Sequence, residues 1–125
     1  DLKVRDVIAL KKDKRFISIQ KTETVKHAFE LMKEHEISQM PVMDNGSIVG
    51  SITESTVLSY LLENPLGNTE KTVDAMMNKP FPTVQEDLSL RQLSQYITEK
   101  IPAVIARDRT DTFHILTKYD IIQSM

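Results

Sequence analysis

The sequence contains no cysteine and no tryptophan, and only three of its 125 residues are glycine. Without cysteine the chain has no disulfide bond and no thiolate chemistry, which is compatible with the cytoplasm, the location that we predict. Gly46, Gly50 and Gly67 are dispersed, so the glycine-rich loops that cradle phosphates in nucleotide-binding motifs are absent. No apolar run approaches the ~20 residues that a membrane helix needs, and we predict no membrane partner.

Charge and side-chain chemistry narrow the function further. A formal net charge of −2 predicts no nucleic-acid partner. The three histidines lack the spacing of metal ligands, and no nucleophile, base or metal set is visible. We therefore predict no catalytic residue, no metal and no cofactor in this segment. The charged residues 11–15 are interpreted as a solvated connector. No Met opens the chain, and we expect a regulatory segment of a larger protein.

Two stretches of the chain share one local pattern, an apolar strand that ends in Thr, a polar pair and the apolar start of a helix. They are residues 50–57 and 114–121. Upstream of them, residues 16–20 correspond to residues 81–85, and apolar helical stripes follow at matching offsets. The chain is therefore predicted to be two copies of one module of roughly 60 residues. The first copy is predicted at residues 4–62, the linker at 63–72 and the second copy at 73–125.

Each copy is predicted to be a small α/β unit. The first has strand 16–19, helix 24–36, strands 39–43 and 47–53, and helix 54–62; the second has strand 83–85, helix 88–99, strands 103–106 and 112–117, and a helix from residue 118. Shorter helices are predicted at 4–10 and 73–77, and Asn45-Gly46 predicts a tight hairpin turn. The helical stripes expected to be buried are Val25, Ala28, Phe29 and Met32, and Leu90, Leu93, Ser94 and Ile97.

One small sheet with helices on one side buries too little apolar surface to be stable alone. We therefore expect the two copies to pack sheet against sheet with pseudo-twofold symmetry. Such packing leaves clefts between the copies, and clefts of this kind are common ligand sites.

The spacing of Thr117 and Asp120 indicates one further chemical function. A Thr at a strand end and an Asp three residues later place a hydroxyl beside a carboxylate. A carboxylate accepts two parallel hydrogen bonds, which suits the cis-diol of a ribose. The alternative is that both side chains only cap the last helix.

Residues 50–53 (Gly-Ser-Ile-Thr) and 115–120 (Ile-Leu-Thr-Lys-Tyr-Asp) resemble the strand-to-helix signature of CBS domains, which occur in tandem as Bateman modules. This resemblance covers the chain from about residue 4 to residue 125. Residues 32–42 and 78–84 are similar to the C-terminal regulatory region of bacterial cystathionine β-synthases. The resemblance implies an adenosyl ligand, S-adenosylmethionine first and AMP or ATP next, and an attached or partner catalytic domain that depends on pyridoxal phosphate.

The family resemblance also implies where the ligand binds. One cleft is expected to combine Ile115, Thr117, Tyr119 and Asp120 with Ile17, Ile37, Ser38, Gln39 and Pro41. The other is expected to combine Thr53 and Thr56 with Thr83, Ile101, Pro102 and Ala103. Thr56 stands where the family carries its ribose-binding Asp, so we predict that this second cleft is impaired. His114 replaces the usual Gly of the second motif and is expected to narrow the approach to Thr117. Ser38 replaces an acidic residue of some S-adenosylmethionine-binding relatives.

These expectations describe a ligand-sensing regulatory module that acts by allosteric reorientation of its two halves. The alternative is a structural oligomerisation module whose clefts hold no ligand. Under either interpretation, apolar residues on the helices near 57–62 and 121–125 predict a homodimer. They are Leu58, Tyr60, Leu61, Ile122 and Met125.

Overall fold

The computed structural model describes residues 1–65 and 70–125, so the predicted linker positions Gly67 and Asn68 lie outside the described residues. The chain divides into two compact units, one of residues 17–80 and one of residues 1–16 together with 81–125. Helix α1 (Val4–Leu10) therefore belongs with the last third of the chain. The reason is backbone hydrogen bonding: the Val4 and Arg5 amides donate to the carbonyls of Leu88 and Glu86, each at 2.9 Å.

The unit of residues 17–80 contains one three-stranded sheet. Its elements in chain order are β1 (Ile19–Gln20), α2 (Val25–His35), β2 (Gln39–Asp44), β3 (Ser47–Thr53), α3 (Glu54–Glu63) and a 3₁₀ turn (Val73–Ala75). Strand β1 pairs with β2 in parallel, and β2 pairs with β3 antiparallel. The buried core includes Met32 of α2, Met40 of β2, Ile52 of β3 and Val57 of α3.

The unit that contains α1 repeats this order of elements. They are β4 (Thr83–Gln85), α4 (Leu90–Leu93), β5 (Ala103–Arg107), β6 (Phe113–Thr117) and α5 (Lys118–Ser124). Strand β4 is parallel to β5, and β5 is antiparallel to β6. Val4, Val7, Val84, Leu93, Val104, Ala106 and Leu116 form the core. The prediction of two small sheets with packed helices is confirmed.

Thr53 and Thr117 occupy equivalent positions in the two units. Each is the last residue of a third strand and the N-cap of the helix that follows. In the ladders, Thr53 lies opposite Gln39 and Thr117 lies opposite Ala103, the first residue of each middle strand. The repeated strand-Thr-helix pattern of the sequence is therefore a repeated structure.

Two local signals in the first copy act as the sequence predicts. The Thr24 hydroxyl accepts a hydrogen bond from the His27 amide at 3.0 Å and caps α2. Asn45 and Gly46 both have positive φ, 50° and 84°, and form the tight turn between β2 and β3.

The predicted helix 88–99 is wrong in length, since α4 ends at Leu93. The Ser94 hydroxyl donates to the Arg91 carbonyl at 2.6 Å and competes with helical hydrogen bonding. The next turn is tighter, because the Tyr96 amide donates to the Leu93 carbonyl, three residues back. Ser94 is consequently exposed, while Leu93 is buried.

Three other predicted features also differ. The predicted strand 16–19 shortens to β1, and the Phe16 ring instead lies 6.1 Å from the Phe113 ring, centroid to centroid. The predicted helix 73–77 is instead a 3₁₀ turn over Val73–Ala75. The helix does not continue, because the Asn78 backbone exchanges hydrogen bonds with Ser51. Phe29 was expected in the buried stripe of α2, but it lies at the stripe's edge and is 44% exposed.

Candidate functional site

Asp120 lies in the first turn of α5, where its side chain is 12% exposed. Its Oδ2 atom accepts hydrogen bonds from the Thr117 amide at 2.8 Å and from the Thr117 hydroxyl at 3.3 Å. The carboxylate therefore caps α5, as one of the two predicted interpretations requires. Among the residues that the structure describes, no donor contacts Oδ1, so the same carboxylate retains one oxygen for a ligand.

Lys11 is a third donor to this carboxylate. Its Nζ atom lies 3.0 Å from Asp120 Oδ2, and its side chain is 13% exposed. Lys11 immediately follows α1, which packs against α5 and so places the ammonium beside the first turn of α5. The interpretation of residues 11–15 as a solvated connector is thus wrong for Lys11, although Lys12, Asp13, Lys14 and Arg15 are exposed.

In the other unit, Thr56 occupies the position after Thr53 that Asp120 occupies after Thr117, so an uncharged side chain lies there. The Thr53 hydroxyl caps α3 by accepting a hydrogen bond from the Thr56 amide at 3.2 Å. The two hydroxyls lie 2.9 Å apart, and the side-chain amide of Asn78 donates from Nδ2 to the Thr56 hydroxyl at 3.0 Å. In α5 the corresponding residues form a capping box, in which the Asp120 carboxylate accepts a hydrogen bond from the Thr117 amide. The Thr53 junction has hydroxyl groups in place of that carboxylate.

The predicted ligand residues of the 17–80 unit lie around β2. Gln39 begins β2 opposite Thr53, and the Ser38 hydroxyl donates to Gln39 Oε1 at 2.8 Å. The Ser38 carbonyl accepts a hydrogen bond from the Glu54 amide at 2.8 Å, so both residues lie at the start of α3. Ile17 and Ile37 are half-buried against the core, and Pro41 is buried.

The predicted ligand residues of the other unit lie on or beside β4, β5 and β6, and Tyr119 lies in α5. Ala103 begins β5 and is buried opposite Thr117, while Thr83 begins β4 opposite Ile105. Ile115 pairs with the same Ile105 from β6 and is half-buried. Ile101 and Pro102 precede β5 and are half-buried. Tyr119 is 64% exposed, with Lys118 Nζ 5.3 Å from its ring centroid.

His114 contacts the hairpin loop between β5 and β6. Its Nε2 atom lies 2.8 Å from Asp108 Oδ2, while Asp108 Oδ1 accepts from the Thr110 and Thr112 amides at 2.8 and 3.1 Å. Hydrogen bonds from His114 and Thr110 lower the pKa of Asp108 well below its usual range. Because His114 comes three residues before Thr117 on an extended strand, roughly 10 Å of chain separates them.

Sequence reasoning missed Lys11 and Asn78. Lys11 and Asp120 are 109 positions apart, and no local pattern connects them. Asn78 contacts Thr56 only because its backbone pairs with Ser51.

Over the described part of the chain, His, Asp and Glu side chains form no group of three suited to a metal ion. A search of the same residues finds no helix with the length and apolar character needed to cross a membrane.

Comparison with known families matches residues 4–63 to the CBS domain. This part of the chain belongs to the CBS domain family, and the two units of the chain have the α/β fold of a tandem CBS repeat. A methylated protein of Methanocaldococcus jannaschii is 35% identical over 66 residues, which are 52% of this module and 37% of that relative. The module thus spans little more than a third of this curated relative's length.

Solved structures share the fold of the CBS module over nearly its whole length. A CBS-domain containing protein from Agrobacterium tumefaciens has a TM-score of 0.84 at 18% identity, over 98% of this chain and 92% of that chain. CBSX2, solved in complex with AMP, has a TM-score of 0.78 at 20% identity, over 99% and 96% of the two chains. At these identities the likeness establishes the fold.

Proposed function

We propose that this CBS module is a regulatory domain without catalysis of its own, and that it binds an adenosyl compound through Asp120. The observation that carries the proposal is the Asp120 carboxylate in the first turn of α5, 12% exposed and with no donor at Oδ1 among the described residues. The two hydroxyls of a ribose diol can each donate a hydrogen bond to an acceptor of this kind. The AMP complex of CBSX2, a protein of the same fold, supports an adenine nucleotide as the ligand class.

The proposed contacts extend beyond the ribose. Thr117 and Tyr119 flank the carboxylate in sequence, and Ile115 precedes them on β6. Half-buried apolar side chains and short polar ones are suited to an adenine ring and its exocyclic amine. The residues proposed for this role are Ile17, Ile37, Ser38, Gln39 and Pro41. S-adenosylmethionine, AMP, ADP and ATP are the candidate ligands.

The Thr56 junction is proposed to be impaired. Its hydroxyl is already engaged by Thr53 and Asn78, and a hydroxyl does not replace the two acceptor oxygens of a carboxylate. A missing charge-assisted hydrogen bond costs about 1.5–3 kcal/mol, or one to two decades in affinity. Thr83, Ile101, Pro102 and Ala103 are the other residues proposed to line this weaker site.

Ligand binding is proposed to act on an attached or partner enzyme. An effector that favours one conformation of a module supplies a coupling free energy of typically ~1–3 kcal/mol. A cystathionine β-synthase-like enzyme that depends on pyridoxal phosphate is the proposed partner, and the cytoplasm is the proposed location.

Replacing Asp120 by Ala is the direct test of the proposed function. We expect the affinity for the bound adenosyl compound to fall at least tenfold, since the ribose loses a charged acceptor. Isothermal titration calorimetry with AMP, ADP, ATP and S-adenosylmethionine measures the loss. Thr56→Ala should leave the affinity nearly unchanged.

Asp6→Ala is the matched control for the capping role. Asp6 Oδ2 accepts from the Lys3 amide at 2.8 Å at the start of α1, just as Asp120 Oδ2 accepts from the Thr117 amide. Each substitution removes a helix cap worth about 1 kcal/mol, so both should lower thermal stability. Only Asp120→Ala should weaken ligand binding, by at least tenfold. Equal binding losses in the two variants would reduce Asp120 to a structural cap.

A structural oligomerisation module is the second candidate function. Large apolar side chains are exposed on α3 and near the end of the chain, with Leu58 54%, Leu62 72%, Ile122 63% and Met125 86% exposed. Tyr60 and Leu61 were also expected on this surface, but they pack partly against the core of their unit. Absence of heat with every adenosyl compound, together with a stable dimer, would favour this candidate.

A further inference from the structure

Lys11 and Asp120 form an ion pair that joins the two ends of the sequence. Lys11 Nζ lies 3.0 Å from Asp120 Oδ2, and the two side chains are only 13% and 12% exposed. Lys12 and Lys14, in the same connector, are exposed, and Lys14 Nζ donates to the Ile8 and Ala9 carbonyls at the end of α1. Lys11 is thus the basic residue of this connector that the fold directs to the carboxylate.

The three donors at Asp120 Oδ2 exceed the two lone pairs of that oxygen, whereas Oδ1 has no donor among the described residues. A ribose diol that uses both carboxylate oxygens needs a lone pair of Oδ2, so two of the three donors must leave. The Thr117 hydroxyl, at 3.3 Å the longest of the three contacts, is neutral and rotates away. The Thr117 amide is fixed by the backbone at the start of α5, whereas the Lys11 ammonium is at the end of a flexible four-carbon stem, so Lys11 is the second donor that yields.

A displaced ammonium remains tethered beside the ribose and has lost its counter-charge. An anionic group on the 5′ carbon of the same ligand would restore that charge balance with a charge-assisted hydrogen bond. A cationic group at that carbon would instead repel the ammonium in a place that is poorly exposed to water. The 5′ substituent of the ligand is therefore the feature that this lysine can distinguish.

We infer that Lys11 is a specificity-determining residue of the Asp120 site, and that it selects 5′-phosphorylated nucleosides over unphosphorylated nucleosides and over sulfonium compounds such as S-adenosylmethionine. This inference rests on the proposed function, since it presupposes that the ribose binds Asp120. It names the ligand class of that site.

Calorimetry with adenosine, AMP and S-adenosylmethionine tests the inference on the unmodified chain first. AMP should bind at least tenfold more tightly than adenosine, which is the effect of one charge-assisted hydrogen bond. This preference should decline as salt is added, because added ions screen the attraction between ammonium and phosphate. Equal affinity for AMP and adenosine would overturn the inference without any variant, while leaving the proposed function intact.

Lys11→Met then removes the charge and keeps most of the stem. We expect the ratio of AMP affinity to adenosine affinity to fall by roughly tenfold. The affinity for S-adenosylmethionine relative to AMP should rise. Lys12→Met makes the same change in net charge at an exposed neighbour and should leave all three affinities unchanged. Lys11→Arg keeps the positive charge and should retain the preference for AMP.

Three results would contradict the inference in distinguishable ways. A uniform loss for all three ligands in Lys11→Met would make the ion pair purely structural. An unchanged ratio of AMP to adenosine affinity would show that another group recognises the phosphate. Absence of heat with all three ligands on the unmodified chain would overturn the proposed function together with the inference.

Discussion

Replacing Gly50 by Ala tests a close backbone approach between β3 and residues 77–78. Gly50 is buried on β3, opposite Val42 of β2. A Cβ atom at this position would lie 2.5 Å from the Met77 sulfur and 2.9 Å from the Asn78 carbonyl oxygen. The thioether can move, but the Asn78 backbone is held by reciprocal hydrogen bonds with Ser51 at 2.8 and 3.0 Å. We therefore expect a loss of about 1–3 kcal/mol, the usual cost of overpacking a buried site.

Urea unfolding followed by circular dichroism measures this loss as a lower midpoint at an unchanged slope. Each kcal/mol should lower the melting temperature by about 4 °C in a chain of this size. Gly46→Ala is the control, because Gly46 has a φ of +84° and a Cβ added there would meet none of the described residues within 4 Å. We expect Gly46→Ala to lower the free energy of unfolding by about 1–2 kcal/mol, only because alanine is strained in the left-handed region of the backbone.

Met77→Ala separates the steric cost at Gly50 from the backbone cost at Gly46. In the Gly50→Ala background it removes the sulfur contact, so the combined loss should be smaller than the sum of the single losses. In the Gly46→Ala background the two losses should add. Full stability of Gly50→Ala would refute the steric argument, whereas strict additivity with Met77→Ala would assign the clash to the Asn78 backbone alone.

Two further predictions concern the hairpin loop and the exposed helices. Hydrogen bonds from His114 and Thr110 hold the pKa of Asp108 below its ordinary value of 3.8. The ionised carboxylate thus contributes stability above about pH 4, and that contribution is lost as the pH falls further through the folded-state pKa. Asp108→Asn should lower the melting temperature at pH 7. The difference in melting temperature between the variant and the parent should shrink below pH 4, and a difference that is constant with pH would contradict this prediction. Ile122→Lys should shift a dimer to monomers in sedimentation velocity, whereas Tyr96→Lys, at a 42% exposed position outside α3 and α5, should not.

Sequence reasoning succeeded where the signal is local. The Thr24 cap, the Asn45-Gly46 turn and the paired Thr53 and Thr117 junctions each depend on residues within a few positions of one another. The resemblance between the two copies then predicted both sheets, because one local pattern that occurs twice specifies one small fold twice.

The features that sequence reasoning missed depend on distant partners. Helix α4 has the apolar spacing of a longer helix, but the Ser94 hydroxyl bonds to the Arg91 carbonyl and the chain turns away. Lys11 looks solvated within a run of charges, and only the packing of α1 against α5 brings it to Asp120. Periodicity reports which face of a helix is apolar, and it contains no information about which distant side chain approaches a carboxylate.

The grouping of residues 1–16 with residues 81–125 has a consequence for synthesis on the ribosome. Residues 17–80 are contiguous, so their sheet can form as soon as that stretch has emerged. Helix α1 emerges before residues 17–80, yet Val4 and Val7 are buried with Val104 and Leu116, which emerge after them. Helix α1 must therefore wait until Val104 and Leu116 have emerged, and closing that long loop costs entropy before any contact repays it. During this interval the nascent chain exposes an apolar helix that it cannot yet bury.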